Sequence, residues 1–311
     1  MKATRYFERR LVHSAALLIA ISVLAFAISQ LAPGSFLDEM KLNPQISAQT
    51  LAGMRAQYGL DQPLPVRYFR WLKSIALGDF GYSLAYNMPV EKLIWDRLGN
   101  TLLLGGTAMM LAWVMALPCG MWSAFKVHRR SDRVLVAGST LLLGTPELAL
   151  ALLFILVAAH FGNVSTDVEK SQGFIALCVP AIVLALAAFP ILFRHIRAAM
   201  NEAWHSPFIQ AARGHGIGNV RLLVRQALPA AANPLISLFG LSLAGVVSAS
   251  FLVEVITGWP RIGPLFLEAI YSRDFHVVMA VVMLFSLFLI TANLIADLLL
   301  YAADPRVRAE C

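Results

Sequence analysis

The feature that most constrains the fold of this chain is a series of long apolar stretches. Each stretch is about 20 residues or longer, which is enough for an α-helix to cross about 30 Å of hydrocarbon. Because every backbone N–H and C=O group must be hydrogen-bonded inside a membrane, such stretches form helices. The sequence therefore predicts an all-α integral membrane protein with six transmembrane helices. They cover residues 11–32, 101–125, 134–160, 174–193, 235–258 and 277–302.

The composition agrees with a membrane environment. Hydrophobic residues make up 59% of the chain and charged residues only 14%, well away from the balance of a soluble domain. The formal net charge is +7, but no basic cluster is interleaved with aromatic residues. We therefore expect membrane lipid as a partner and no nucleic acid. The cysteines lack C-x-x-C spacing, so they predict neither a disulfide framework nor a metal site. They are Cys119, Cys178 and Cys311.

The distribution of lysine and arginine predicts the orientation. The short loops on the side of the amino terminus are rich in these residues, whereas most of those on the other side lie in one long loop, which counts little in orientation. Both termini are therefore expected in the cytoplasm. A signal peptide is the alternative for the first stretch, but no A-x-A site follows it. The organisation predicted is a cytoplasmic amino terminus and first span (1–32), a helical extracytoplasmic segment (33–98) and a core of five spans (99–311).

The extracytoplasmic segment carries two helical patterns. The first runs from Ser47, a plausible N-cap, to Gly59. The second covers 66–75 and has an apolar stripe at helical spacing. We expect either a helical lid on the membrane surface or a surface that docks a receptor. The stripe consists of Val66, Phe69, Leu72 and Ile75, with Tyr68 and Trp71 beside it.

A polar, glycine-broken segment lies between the fourth and fifth predicted spans. Ser206-Pro207 is typical of a helix start, with Phe208, Ala211 and Ala212 on one face. Gly214-His215-Gly216 is predicted to break this helix. A second helix is expected from Asn219, ended or bent at Pro229. The residues alone leave open whether this is a surface loop or a docking element. The second helix has an apolar stripe of Val220, Leu223, Val224, Ala227 and Leu228.

This segment resembles the EAA motif of permeases of ABC importers, which is written E-A-A, three residues, Gly and a later Leu-Pro. Here it reads Gln210-Ala211-Ala212, Gly216 and Leu228-Pro229, with Gln in the usual acidic position. We call residues 199–233 the EAA loop. Four further stretches resemble the dipeptide/oligopeptide/nickel branch of this family, and in particular the first of its two permeases. They are AQYGLDQPLPVRYFRWL, GDFGYSL, ITGWPRIGPLFLEAIYSRDFHVV and DPRVR.

The resemblance implies a transport subunit of the bacterial inner membrane that forms a heterodimer with a second permease. It further implies two ABC ATPase subunits and a periplasmic or extracellular solute-binding protein. ATP–Mg would be used by the ATPases, since this chain has no G-x-x-x-x-G-K-[ST]; no cofactor or metal is expected here. The resemblance also implies that the residues of the motif couple this subunit to the ATPases. They are Gln210, Ala211, Ala212, Arg213, Gly214, Gly216, Leu228 and Pro229.

Carboxylates inside the predicted spans are the remaining candidates for function. A charged group at mid-membrane costs about 2.5–3.5 kcal/mol on insertion scales, so such groups usually face protein or a cavity. Glu254 is a candidate for a substrate pathway, and Asp297 is expected either to hydrogen-bond between helices or to lie at the interface. The resemblance implies a kinked third span at Glu147, which is the weaker pathway candidate. A membrane-embedded enzyme using these carboxylates is the alternative, although no nucleophile–base pair accompanies them. A passive channel is disfavoured because no ring of charges is visible. The solute is not identified.

Overall fold

The structure is a computed structural model that describes residues 2–31, 49, 53, 61–160, 174–259 and 261–303. The helix predicted from Ser47 to Gly59 lies outside these residues except at 49 and 53, both of which are helical. In chain order the elements are α1 (Lys2–Leu31), α2 (Leu64–Ala76), β1 (Tyr82–Ser83), β2 (Met88–Pro89), α3 (Val90–Phe125), α4 (Arg130–Gly144), α5 (Glu147–His160), α6 (Phe174–Trp204), α7 (Pro207–Gly214), α8 (Asn219–Leu222), a π-helical turn (Leu223–Ala227), α9 (Leu228–Ala230), α10 (Ala232–Thr257), α11 (Ile262–Tyr271) and α12 (Phe275–Ala303).

The described helices confirm the predicted membrane fold. Five of them, α1, α3, α6, α10 and α12, are long and apolar enough to cross a membrane. Helices α4 and α5, which are bent by 101° at a short break, form a sixth candidate span if the pair counts as one. The span predicted over 134–160, for which the resemblance implies a kink, is therefore divided into two helices. Pro146 lacks an N–H group and disfavours helical geometry at Thr145, which is extended at φ −94 and ψ 120.

Several helices are longer than the apolar runs that predicted them. The second predicted span began at residue 101, but α3 begins at Val90 and has 36 residues. At 1.5 Å per residue this helix is about 54 Å long, well beyond the hydrocarbon thickness. The apolar run marks the part of a helix inside the membrane, whereas the backbone hydrogen bonds continue through polar residues such as Glu91 in its first turn.

The chain packs as two compact units. The first comprises Met1–Phe7, Asn100–Trp259 and Phe288–Cys311, and the second comprises Glu8–Gly99 and Pro260–Leu287. In the first unit α6 is central, since it packs against α4, α5 and α10. In the second unit the short strands β1 and β2 pair in antiparallel fashion, with Tyr82 opposite Pro89.

Helix α2 of the second unit buries only part of the predicted stripe. Its buried contacts are made by Tyr68, Trp71, Leu72 and Ile75, which pack around Phe26 of α1. Val66 and Phe69 of the predicted stripe are instead 46% and 67% exposed. Both sets obey helical spacing. The Tyr68 ring meets Phe26 edge to face and the Trp71 ring lies tilted against it, so the aromatic side of α2 is the one that packs on α1.

Candidate functional site

The first helix of the EAA loop forms as predicted. Pro207 occupies the first turn of α7, and Ser206 before it is extended at φ −66 and ψ 147. The Ser206 hydroxyl does not cap the helix, because it donates to the carbonyl of Ala203 at 2.6 Å. Proline fixes the φ that the first helical residue needs. The start of α7 is thus set by the proline.

The glycine pair ends this helix, and the two glycines have different parts in the turn. Helix α7 ends at Gly214, and His215 follows with φ −82 and ψ 9. Gly216 then takes φ +79, and a Cβ placed on it would meet no atom within 4 Å. The left-handed backbone therefore requires glycine at this position, while the space above it is open.

The second helix differs from the regular amphipathic helix that was predicted. After α8 the chain widens into the π-helical turn and then forms α9, which ends at Ala230. Pro229 cannot donate to the carbonyl of Arg225 and crowds it, which favours the wider turn before it. As a result the predicted apolar stripe is split. Leu223 and Leu228 pack partly against the core, but Val220 and Val224 are 77% and 49% exposed.

The EAA loop is attached to the end of α6 by fully buried side chains. Ile209, Leu222 and Ala227 have no exposed surface and belong to one apolar cluster with Met200 and Trp204 of α6. Leu222 was not part of the predicted stripe. The loop is therefore packed as part of the first unit and follows α6.

Two polar residues of the motif interact with neighbouring residues of the first unit. The guanidinium of Arg213 lies 4.5 Å from the centre of the Trp204 ring, and Trp204 in turn meets Phe125 edge to face at 5.2 Å. Gln210 donates from Nε2 to the carbonyl of His205 at 3.1 Å. The glutamine that replaces the usual acidic residue thus stabilises the chain entering α7.

The outer surface of the EAA loop is partly apolar. Phe208 is 51% exposed, in addition to Val220 and Val224. Gln210 and Ala211 are also exposed, and Ala212 is half-buried. Of the last two predicted coupling residues, Leu228 is half-buried and Pro229 is exposed. Phe208 was recognised in the sequence only as a member of one helix face.

A buried charge cluster in the first unit was missed by sequence reasoning. Asp132, in the first turn of α4, is 3% exposed. It accepts hydrogen bonds from Nε and Nη2 of Arg197 on α6 at 3.0 and 3.1 Å. It also accepts bonds from the Ser123 hydroxyl of α3 and from the backbone N–H of His128. The only signal in the sequence is that Asp132 is the single acidic residue of KVHRRSDR.

The two pathway candidates lie on helices that pack against each other. Glu254 of α10 is fully buried, close to the end of that helix, where Gly258 adopts a left-handed conformation. Glu147 is half-buried at the first position of α5, directly after the bend. Helices α5 and α10 are in contact. No group of three or more His, Cys, Asp or Glu side chains within the described part of the chain could hold a metal ion.

Known proteins resemble this chain over nearly its full length. The family described as binding-protein-dependent transport system inner membrane component matches residues 116–309, and the N-terminal membrane component of such systems matches residues 3–105. The oligopeptide transport system permease protein AppB of Bacillus subtilis is 33% identical, with 97% of this chain and 98% of AppB covered. The glutathione transport system permease protein GsiC of Salmonella paratyphi A is 30% identical, with 97% and 98% covered.

Solved structures show the same fold at lower identity. The inward-facing MetNI methionine ABC transporter is 18% identical with a TM-score of 0.60, covering 69% of this chain and 97% of that chain. An amino acid ABC transporter crystallised with histidines is 19% identical with a TM-score of 0.53, covering 65% and 90%.

Helices long and apolar enough to cross a membrane, joined by a packed loop with exposed apolar side chains, define a multi-pass membrane protein. The chain belongs to the family of binding-protein-dependent transport system inner membrane components. It is a permease subunit of an ABC importer in the inner membrane, and it is not an enzyme. This confirms the resemblance seen in the sequence and removes the alternative of an enzyme that uses intramembrane carboxylates.

Proposed function

We propose that this permease forms, as a heterodimer with a second permease, the pathway for peptides or similar small solutes. Two separate ATPase subunits hydrolyse ATP–Mg, and a solute-binding protein delivers the solute. The names of the two full-length relatives support the substrate class. AppB is an oligopeptide permease and GsiC is a glutathione permease. Peptides are the chemistry that these names share.

The observation that carries the coupling role is the exposed apolar surface of the EAA loop. Phe208, Val220 and Val224 are each about half exposed or more, on a loop between two spans that is otherwise rich in polar residues. Contiguous exposed apolar groups with a polar rim are typical of protein interfaces. A groove on an ATPase subunit would bury them, with Gly216 and Ala211 allowing its backbone to come close.

The attachment of the loop to α6 supports a mechanical role. Since Ile209 and Leu222 are fully buried against the end of α6, displacing the loop without α6 would expose them to water. Each buried aliphatic side chain contributes about 1.5–3 kcal/mol. An ATPase that moves the loop would therefore move α6, and with it the helices packed on α6.

A cytoplasmic EAA loop also determines the orientation that we propose for both termini. Four crossings separate the amino terminus from this loop when α4 and α5 count as one broken span. Two more crossings, α10 and α12, follow the loop before the carboxyl terminus. An even number of crossings returns the chain to the same side, so both termini lie in the cytoplasm with the ATPases. Glu254 and Glu147, on contacting helices, are the proposed pathway residues.

The variant Gly216→Asp tests the coupling role. It places a carboxylate in open space at the turn, although the φ of +79 strains any residue with a Cβ. We expect the chain still to insert, and Gly216→Asn, which carries the same strain without the charge, separates strain from the effect of the carboxylate. Burial of that carboxylate against a partner is costly, and we expect ATP-dependent uptake and co-purification of the ATPase to fall at least about tenfold, the effect of 1.4 kcal/mol. Uptake of a labelled peptide by cells and the amount of co-purified ATPase are the measurements.

Gly218→Asp is the matched control. It adds the same charge two residues away, at the N-cap of α8, where φ is −63 and aspartate is favoured. We expect near-normal uptake from this control. Normal uptake with Gly216→Asp would sink the coupling role, and an equal loss in both variants would show that any added charge on the loop is harmful.

A further inference from the structure

The second unit contains a cavity that the transport function does not explain. Its volume is about 140 Å³, and its walls are formed by α1, α2, the chain after α2 and the start of α12. Phe26 and Phe275 form an apolar wall, with their ring centres 5.5 Å apart. Arg67, Arg70 and Trp71 of α2 supply hydrogen-bond donors.

Part of the polar lining is already satisfied within the protein. Asp79 accepts a hydrogen bond from the Ser74 hydroxyl at 3.0 Å and one from the backbone N–H of Gly81 at 2.9 Å. Arg70 donates from Nη2 to the side-chain oxygen of Gln62 at 2.6 Å. Both oxygens of the Asp79 carboxylate thus already accept hydrogen bonds from neutral donors.

Two donors in the same lining have no acceptor among the residues that the structure describes. Trp71 is 7% exposed, and its buried indole Nε1–H has no hydrogen-bond partner. Arg67 is half-buried, and its backbone N–H donates to Pro63, but its guanidinium has no ion-pair or hydrogen-bond partner among the described residues. Burial lowers the pKa of its guanidinium, as expected when a cation loses water without gaining an anion. Both groups can only donate, so a ligand bound here must accept hydrogen bonds.

The surroundings indicate which acceptor fits. The cavity lies beside the last turns of α1 and the first turn of α12, where two membrane-crossing helices begin or end. On the same α2, Val66 and Phe69 are exposed, and an amphipathic helix of this kind lies in the headgroup region with its apolar side chains in the acyl boundary. A ligand here combines an oxyanion with apolar chains.

We propose that this cavity binds the phosphate group of a phospholipid. The Arg67 guanidinium and the Trp71 indole N–H donate to the phosphate oxygens, while Phe26 and Phe275 contact the start of the acyl region. A guanidinium suits this task because its donors match phosphate geometry. The lipid would attach α2 to the membrane surface and to α1.

Lipid binding to the full-length chain tests the proposal. The purified chain is stripped of lipid in detergent and titrated with phosphatidylglycerol, and the bound lipid is counted by native mass spectrometry. Arg67→Gln removes a charge-assisted contact, so we expect affinity to fall about tenfold or more. Trp71→Phe keeps an aromatic ring but loses the indole N–H together with part of the ring area, and a loss of several-fold is expected.

The matched control is Lys73→Gln, which removes an exposed cation of the same helix that does not line the cavity. We expect its affinity to stay near that of the natural chain. An equal fall in Lys73→Gln would overturn the proposal in favour of general attraction to the helix, as would unchanged binding in Arg67→Gln and Trp71→Phe. Inorganic phosphate that binds as tightly as the lipid would overturn the lipid assignment. Displacement by a peptide with a free carboxylate, but not by its amide, would do the same.

Discussion

The variant Asp132→Asn is expected to destabilise the first unit. Asp132 joins three helices, because it accepts hydrogen bonds from Ser123 of α3 and Arg197 of α6 while belonging to α4. Asparagine has nearly the same shape, but it has no charge and only one acceptor oxygen. Its amide group would meet the donors of Arg197 with donors of its own.

The size of the effect follows from the burial of the two partners. Removing one partner of a buried ion pair costs about 3–5 kcal/mol. The side chain of Asp132 is 4% exposed, but that of Arg197 is 31% exposed, so water stabilises the guanidinium that is left behind. We therefore expect Asp132→Asn to lower the free energy of unfolding by about 2–3 kcal/mol. The loss for Asp132→Asn with Arg197→Gln should be smaller than the sum of the two single losses.

Chemical unfolding of the full-length chain in detergent measures these free energies. Asp96→Asn is the matched control, because it makes the same change at an exposed aspartate, and such surface changes stay within about 0.5 kcal/mol. Strictly additive losses for Asp132 and Arg197 would refute the reasoning, as would a stability of Asp132→Asn equal to that of Asp96→Asn.

Two further changes test packing and ionisation. Gly240→Ala places a Cβ 2.0 Å from that of Ala296. Helices α10 and α12 must then separate, and the free energy of unfolding should fall by about 1–3 kcal/mol. The Cβ of Gly245→Ala on the same helix meets no atom within 4 Å, and this variant should be more stable by up to about 1 kcal/mol. Equal unfolding midpoints for the pair would contradict this close contact. Burial, as the larger cause, and the hydrogen bond to Glu268, as the second cause, raise the pKa of Tyr86 from 10.0 to about 12. The stability that this tyrosine contributes is therefore present below pH 10 and is lost between pH 10 and 12. Glu268→Gln should lower the pKa of Tyr86 only partly, because burial is the larger cause. Phenolate absorbance, with Tyr86→Phe as the reference, measures this pKa. An unchanged pKa would show that Glu268 has no part in the shift.

The membrane fold could be predicted from the sequence because hydropathy is a local property. A stretch of about 20 apolar residues can satisfy its backbone in a membrane only as a helix, whatever its neighbours do. The turn at Gly216 and the start of α7 at Pro207 were predictable for the same reason. Glycine frees the backbone at its own position and proline restricts it at its own position. The break at Pro146 was visible in the sequence as a proline, but not as a bend of 101°.

The faces that helices bury were not predictable in the same way. Val66 and Phe69 satisfy helical spacing as well as Tyr68 and Trp71 do, and Val220 satisfies it as well as Leu222. Burial selects one set only when a partner is in place, as Phe26 is for α2 and the end of α6 is for Leu222. The exposed residues that remain, Phe208 among them, are the ones proposed to meet an ATPase.

The sequence by itself determined that this chain crosses a membrane, where it turns and which family it resembles. Only the tertiary structure decided which distant residues meet. Asp132 and Arg197 lie 65 positions apart, and Gly240 approaches Ala296 across two helices. Many arrangements of helices bury the same apolar area, and lipid contacts apolar side chains as favourably as protein does. Close packing and paired polar groups are therefore what select one arrangement, and both depend on the three-dimensional positions of residues that are far apart in the chain.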